Sequence, residues 1–163
     1  NSGMISTGWR DVDNKLYGGL NRGEICIFAG QSGAGKSLFL QNMGVNWAQL
    51  GLNVVYITLE LSENLCGMRL DAMIAGVETR GVLKDVEGVA MKVKSFYKKY
   101  KGDLRLKQLP NGCTANDIRA YVKELEVQIS TIKKQVGLGE KHDYKYKTGE
   151  KIKNRDEDGL KSE

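Results

Sequence analysis

The sequence predicts an α/β fold with a parallel sheet, and three observations carry that prediction. Short apolar or β-branched runs recur at 24–29, 53–58 and 104–109. Long stretches with apolar residues at helical spacing lie between them, as parallel strands require of their connections. A glycine-rich turn at 30–37 joins the first run to the first helical stretch.

That turn reads Gly30-Gln31-Ser32-Gly33-Ala34-Gly35-Lys36-Ser37 and satisfies every fixed position of the phosphate-loop pattern G-x-x-x-x-G-K-[ST]. Gly30, Gly33 and Gly35 open backbone angles closed to other residues and leave no Cβ in a phosphate's way. The loop amides then point inward as an anion nest, and the following helix adds unpaired N–H groups at its positive end. The loop is expected to bind ATP or ADP, Lys36 reaching the β-phosphate and, in ATP, the γ-phosphate, and Ser37 placing its hydroxyl on Mg²⁺. The competing structural reading is a glycine turn that carries Lys and Ser by coincidence; the strand before and the helix after argue against it.

Length suits one domain, and 40% hydrophobic with 28% charged residues suits a globule. No apolar run approaches the roughly eighteen residues of a membrane span, and no leader pattern opens the chain. Asn1 is not an initiator residue, which points to a fragment boundary. Cys26, Cys66 and Cys113 are widely spaced and form no metal-ligand pattern with His142, so they read as small buried hydrophobes. The net charge of +5 is compatible with nucleic acid without demonstrating it.

Taken in order, 5–24 is a lead-in of a short helix and glycine turns, with Thr7-Gly8-Trp9, Val12-Asp13, Gly18-Gly19-Leu20 and Gly23-Glu24. Glu24–Ala29 is a buried strand. Lys36 to about Leu50 is a helix apolar around much of its circumference through Leu38, Phe39, Leu40, Met43 and Trp47, with Gly51 to end it. Asn53–Thr58 is a strand, and Glu60 falls just past it. Ser62 caps the next helix. One longer helix then runs from about Thr79 to Lys101. Its basic run from Lys92 to Lys101 fits a solvated face, with Phe96, Tyr97 and Tyr100 turned inward, better than a nucleic-acid surface. Leu104–Leu109 is the third strand. Thr114 with Asp117 forms a capping box for an amphipathic helix through Ile118, Tyr121, Val122, Leu125, Ile129 and Ile132. Residues 137–163 are polar, lack any period and read as a disordered tail. Deleting 140–163 is expected to leave the melting temperature nearly unchanged, because so few apolar groups cannot offset the entropy of ordering them.

The lead-in, the loop, Val54-Val-Tyr-Ile-Thr-Leu-Glu-Leu-Ser62 and Met68-Arg-Leu-Asp71 together resemble the RecA-like motor domain of DnaB-class replicative helicases, most of all those of tailed phages. The resemblance covers about 5–128. It implies a RecA-like P-loop fold and hydrolysis of ATP with Mg²⁺. It also implies single-stranded DNA as partner, a homo-hexamer and the cytoplasm of a phage's bacterial host as location. It makes Glu60 the residue that activates the attacking water, alongside Lys36 as the catalytic cation. An acid at a strand–helix junction also has a plain structural role beside the helix dipole. The family pattern continues with an apolar strand closing in the Walker B Asp; this chain reads Ile129-Ser-Thr-Ile-Lys-Lys-Gln-Val-Gly137 there. The fold is therefore expected to be incomplete at its C-terminal side. Residues 1–136 form a partial ATPase domain, and the isolated chain is expected to lack turnover. The rival readings are a small stand-alone ATP-binding module and another P-loop enzyme such as a small-molecule kinase. Glu60 and Gly18-Gly19-Leu20 argue against the kinase.

Overall fold

A computed structural model describes residues 3–136. The predicted tail, 137–163, lies outside the described residues. The chain runs α1 (Arg10–Lys15), α2 (Lys36–Gln49), β1 (Asn53–Thr58), α3 (Glu63–Ala75), α4 (Thr79–Val82), α5 (Val86–Tyr100), β2 (Asp103–Gln108) and α6 (Ala115–Val136). The strands β1 and β2 pair in parallel, Asn53 beside Asp103 through Thr58 beside Gln108. The α/β class and the parallel pairing are as the sequence predicts.

Helices cover one face of this sheet. Val54 and Leu104 point down into a core with Val45 and Ala48 of α2, Leu70 and Ala72 of α3, and Val89, Val93, Phe96 and Tyr97 of α5. Alternation along each strand explains the choice: Val54 and Leu104 sit opposite each other in register and share a face. Phe96 and Tyr97 are buried and meet edge to face at 5.3 Å. The basic run is thus a solvated face: Lys94, Lys98 and Lys99 are exposed, and the aromatics that a nucleic acid would stack on are inside.

The first predicted strand differs. Glu24–Ala29 joins no ladder, and Ile25 and Ile27 are 90% and 84% exposed. An apolar run becomes a strand only where another edge receives its N–H and C=O groups, and no described segment forms a ladder with it. Cys26 is consequently exposed, whereas Cys66 is buried as expected and Cys113 is intermediate. Leu38 and Leu40 of α2 are also exposed, at 45% and 39%.

The single helix predicted over 79–101 is two, α4 and α5. Asp85 lies between them, and its carboxylate accepts the Gly88 amide at 3.0 Å, starting α5 afresh. At α6 the capping box forms as read, Thr114 N–H donating to Asp117 at 2.7 Å and Asp117 N–H to Thr114 Oγ1 at 3.3 Å. Ile118, Tyr121 and Val122 are half-buried and Leu125 is buried. No strand follows β2 among the described residues. None of the described helices is long and apolar enough to cross a membrane.

Candidate phosphate-binding site

The loop is held at both ends by aromatic packing. Phe28, just before it, meets Phe39 in the first turn of α2 at 4.8 Å, and Trp9 of the lead-in stacks on Phe39 at 4.7 Å and 15°. Between these anchors the chain turns through Gly33 (φ +79°) and Gly35 (φ +90°), both in the left-handed region that favours glycine. Gly30 takes an ordinary φ, contrary to expectation; a Cβ there would lie 3.4 Å from the Ala34 Cβ, an ordinary contact. The Ala34 amide closes the turn onto the Gln31 carbonyl at 3.0 Å.

Gly35 is also the N-cap of α2, and it has no side chain with which to cap. The start of α2 carries no acidic residue either, and its first residue is the cation Lys36. By contrast α3 is capped by Ser62, which accepts the Leu65 amide at 3.2 Å. The same role falls to Asp85 at α5 and to the Thr114 box at α6. Unpaired amides, a positive dipole end and a lysine together make the start of α2 electropositive. Lys36 Nζ donates to the Gly30 carbonyl at 2.6 Å and the Gln31 carbonyl at 3.0 Å, folded back over the loop. The side chains of Gln31, Ser32, Ala34 and Ser37 are exposed around it.

Glu60 is brought to the same end of the sheet. A short connection joins the end of α2 to the start of β1, and the helix runs back along the sheet, with Ala48 against Gly102 and Gly44 against Val54 and Leu104, so the N-terminus of α2 and the C-terminus of β1 lie toward the same end. Ligands of parallel α/β sheets bind beyond the strands' carboxyl ends. Just there Thr58 Oγ1 donates to the Leu61 carbonyl at 2.9 Å and accepts the Leu61 amide at 3.1 Å. This tight bend presents Glu60 to solvent. Among the described residues no hydrogen bond or ion pair joins Glu60 to the loop.

The lead-in holds a cluster that sequence reasoning missed. Asp13 accepts from Ser6 Oγ at 2.5 Å, the Thr7 amide at 2.8 Å and Thr7 Oγ1 at 2.6 Å. Asn46 and Trp47 of α2 donate to the carbonyls of Thr7 and Ser6, at 3.0 and 2.9 Å. The lead-in is thereby latched to the helix that starts at the loop. The only signal in the sequence was the Thr7–Asp13 spacing, which no periodicity explains. Burial pulls the Asp13 carboxyl upward, but the bonds from Ser6 and Thr7 outweigh it and hold the group below its ordinary 3.8. A carboxylate with a lowered folded value stabilises above its unfolded value, and that contribution is lost as pH falls through the folded one. Asp13→Asn is expected to cost about 1–2 kcal/mol at neutral pH. Thermal melts from pH 6 to pH 2 should show the difference from wild type vanishing on the acid side.

A parallel α/β chain whose first long helix opens uncapped on a glycine-lysine turn is, as a class, a P-loop fold. Residues 5–137 match the KaiC ATPase family. The chain belongs to that family of RecA-like ATPases. It is 32% identical to the DnaB-like replicative helicase of Enterobacteria phage T4 over 71% of its own length and 26% of the helicase. It is 33% identical to the DNA repair protein RadA of Mycobacterium tuberculosis over 47% of its own length and 16% of that protein. The chain thus spans about a quarter or less of the length of these relatives.

Proposed function

We propose that this chain is the ATP-binding part of a replicative-helicase motor. In that reading Gly30, Gln31, Ser32, Gly33, Ala34, Gly35, Lys36 and Ser37 hold ATP or ADP, and Ser37 holds Mg²⁺. Glu60 orients the attacking water. The observation that carries it is the uncapped, acid-free start of α2 with Lys36 upon it, at the end of the sheet where Glu60 emerges. Anionic phosphates would satisfy the unpaired amides and draw Lys36 off the Gly30 and Gln31 carbonyls. A bound Mg²⁺ would supply charge neutralisation on the phosphate oxygens. The similarity to the T4 helicase supports single-stranded DNA as partner, a homo-hexameric ring and a phage-infected bacterial cytoplasm for the parent assembly.

The isolated chain is expected to bind ATP yet show negligible hydrolysis and no unwinding. Among the described residues no apolar strand ending in Asp follows β2, so nothing there fixes a metal opposite Ser37. An arginine finger, worth about 10³–10⁵ in rate in related systems, would come from a neighbouring subunit. A phosphate-release assay with and without single-stranded DNA, with Glu60→Gln as control, tests this. DNA-stimulated turnover that is lost in Glu60→Gln would overturn the expected inactivity while supporting the role of Glu60. Turnover unaffected by Glu60→Gln would remove that role.

A further inference from the structure

We propose that Trp9 is a positioning residue for the phosphate loop: stacked on Phe39, it holds the first turn of α2 in place of the cap that this helix lacks. The inference deepens the proposed function and rests on it. A helix opens with amides that have no partner within it, and a capping side chain normally satisfies one of them and keeps the first turn from fraying. Ser62, Asp85 and Thr114 do this at α3, α5 and α6. At α2 the N-cap is Gly35, which brings no side chain. A capping group there would fill the place in which the amides receive a phosphate, so the turn has to be held from the side.

Phe39 is where that can be done. Its amide donates to the Gly35 carbonyl at 2.9 Å, the bond that ties the first turn of α2 to the last glycine of the loop. Its ring meets Phe28, two residues before Gly30, at 4.8 Å. One ring thus touches the entry of the loop while its backbone fixes the exit. Trp9 covers that ring, with centroids 4.7 Å apart and planes 15° from parallel. Trp9 is itself placed by groups outside the loop. Its amide donates to Thr7 Oγ1 at 3.3 Å, and its carbonyl accepts the Asp13 amide at 2.9 Å. Thr7 is bonded in turn to Asn46, which lies seven residues beyond Phe39 on the same stripe of α2. The indole therefore reaches Phe39 as a surface already fixed to the body of the helix. A stacked aromatic pair adds to what burial alone contributes, and here that addition acts on the turn whose amides face the phosphate.

The test titrates the full chain with ATP and Mg²⁺ in a calorimeter and follows amide exchange in the absence of nucleotide. Trp9→Leu keeps an apolar side chain but cannot stack, whereas Trp9→Phe keeps a ring. Trp9→Leu is expected to bind about fivefold more weakly than wild type, and Trp9→Phe within about twofold of it, since the loss is bounded by what the stack contributes. In Trp9→Leu the Phe39 amide should exchange faster, while the amides of Val45 and Ala48, farther along α2, keep their rates. A merely structural role would quicken all three. If Trp9→Leu does not fold, Phe39→Leu opens the same stack from its other ring and replaces it in both measurements. Affinity equal to wild type in the leucine variant, an equal loss in Trp9→Phe, or exchange that rises evenly along α2 would each overturn the proposal. Absence of binding by the wild-type chain is a different result: it would overturn the proposed function itself, and this inference with it.

Discussion

Lys36→Ala is expected to weaken binding of ATP with Mg²⁺ by about 100-fold while leaving the fold intact. Charge-assisted hydrogen bonds to phosphate contribute about 1.5–3 kcal/mol each, and the ammonium can make more than one. The full sum is not realised, because the free protein already uses this group: Lys36 Nζ must leave the Gly30 and Gln31 carbonyls before it reaches a phosphate. A net loss of about 2.7 kcal/mol corresponds to the 100-fold figure. Stability should barely move, since the side chain is exposed and removing a cation from the positive end of α2 offsets the two bonds lost. Calorimetric titration of wild type and variant reads the first effect and thermal denaturation the second. Equal affinities would remove the loop from nucleotide binding; a large fall in stability would make Lys36 a structural residue of the loop.

The parts of this molecule legible in its sequence are those governed by local rules. Thr114 and Asp117 announce a capping box, and the box is there. Ser62 announces a cap, and Leu65 N–H is held by it. The β-branched run at 53–58 pairs in parallel with its neighbour, and the helices between them supply the long crossover that parallel pairing needs. The run at 24–29 has the same local character and forms no strand, because a ladder depends on what lies alongside and composition says nothing of that. Asp85 is a helix cap by residue type, but the apolar period runs on across it, and the period alone reads as one helix. At the candidate site, the loop pattern shows where glycines are needed but does not distinguish Gly33 and Gly35, which turn left-handed, from Gly30, which does not. The resting position of Lys36 could not be read at all. Nor could the Asp13 latch, whose partners in α2 lie about forty residues away in sequence.

Gly102→Ala is expected to cost about 3 kcal/mol or more, whereas Gly44→Ala should leave stability unchanged or raise it. The chemical change is the same, and both glycines lie where α2 meets the sheet. Gly102 leads into β2, is buried, and has a backbone angle open to any residue, so no conformational penalty arises. The cost is steric. A Cβ on Gly102 would collide with the Ala48 carbonyl oxygen and come within 2.8 Å of its carbonyl carbon and Cα. That carbonyl accepts the Gly51 amide at 3.0 Å in the turn that ends α2, so the helix backbone cannot yield without losing its stop. Overpacking a core costs about 1–3 kcal/mol when side chains can rearrange, and more when the obstacle is main chain. A domain's total stability is about 5–15 kcal/mol, so the loss would be a large fraction of it. Gly44 sits mid-helix in α2, and a Cβ there would rest 3.6 Å from Leu104 Cδ1 and Val54 Cγ1, at ordinary contact distance. Alanine also gains up to about 1 kcal/mol of helix propensity over glycine. Urea denaturation of both variants, read by circular dichroism, separates the cases: a fall in midpoint for Gly102→Ala alone is the expected result. Equal losses in both would mean that α2 meets the sheet as tightly at Gly44 as at Gly102, and that the difference between the two contacts is not what sets the cost.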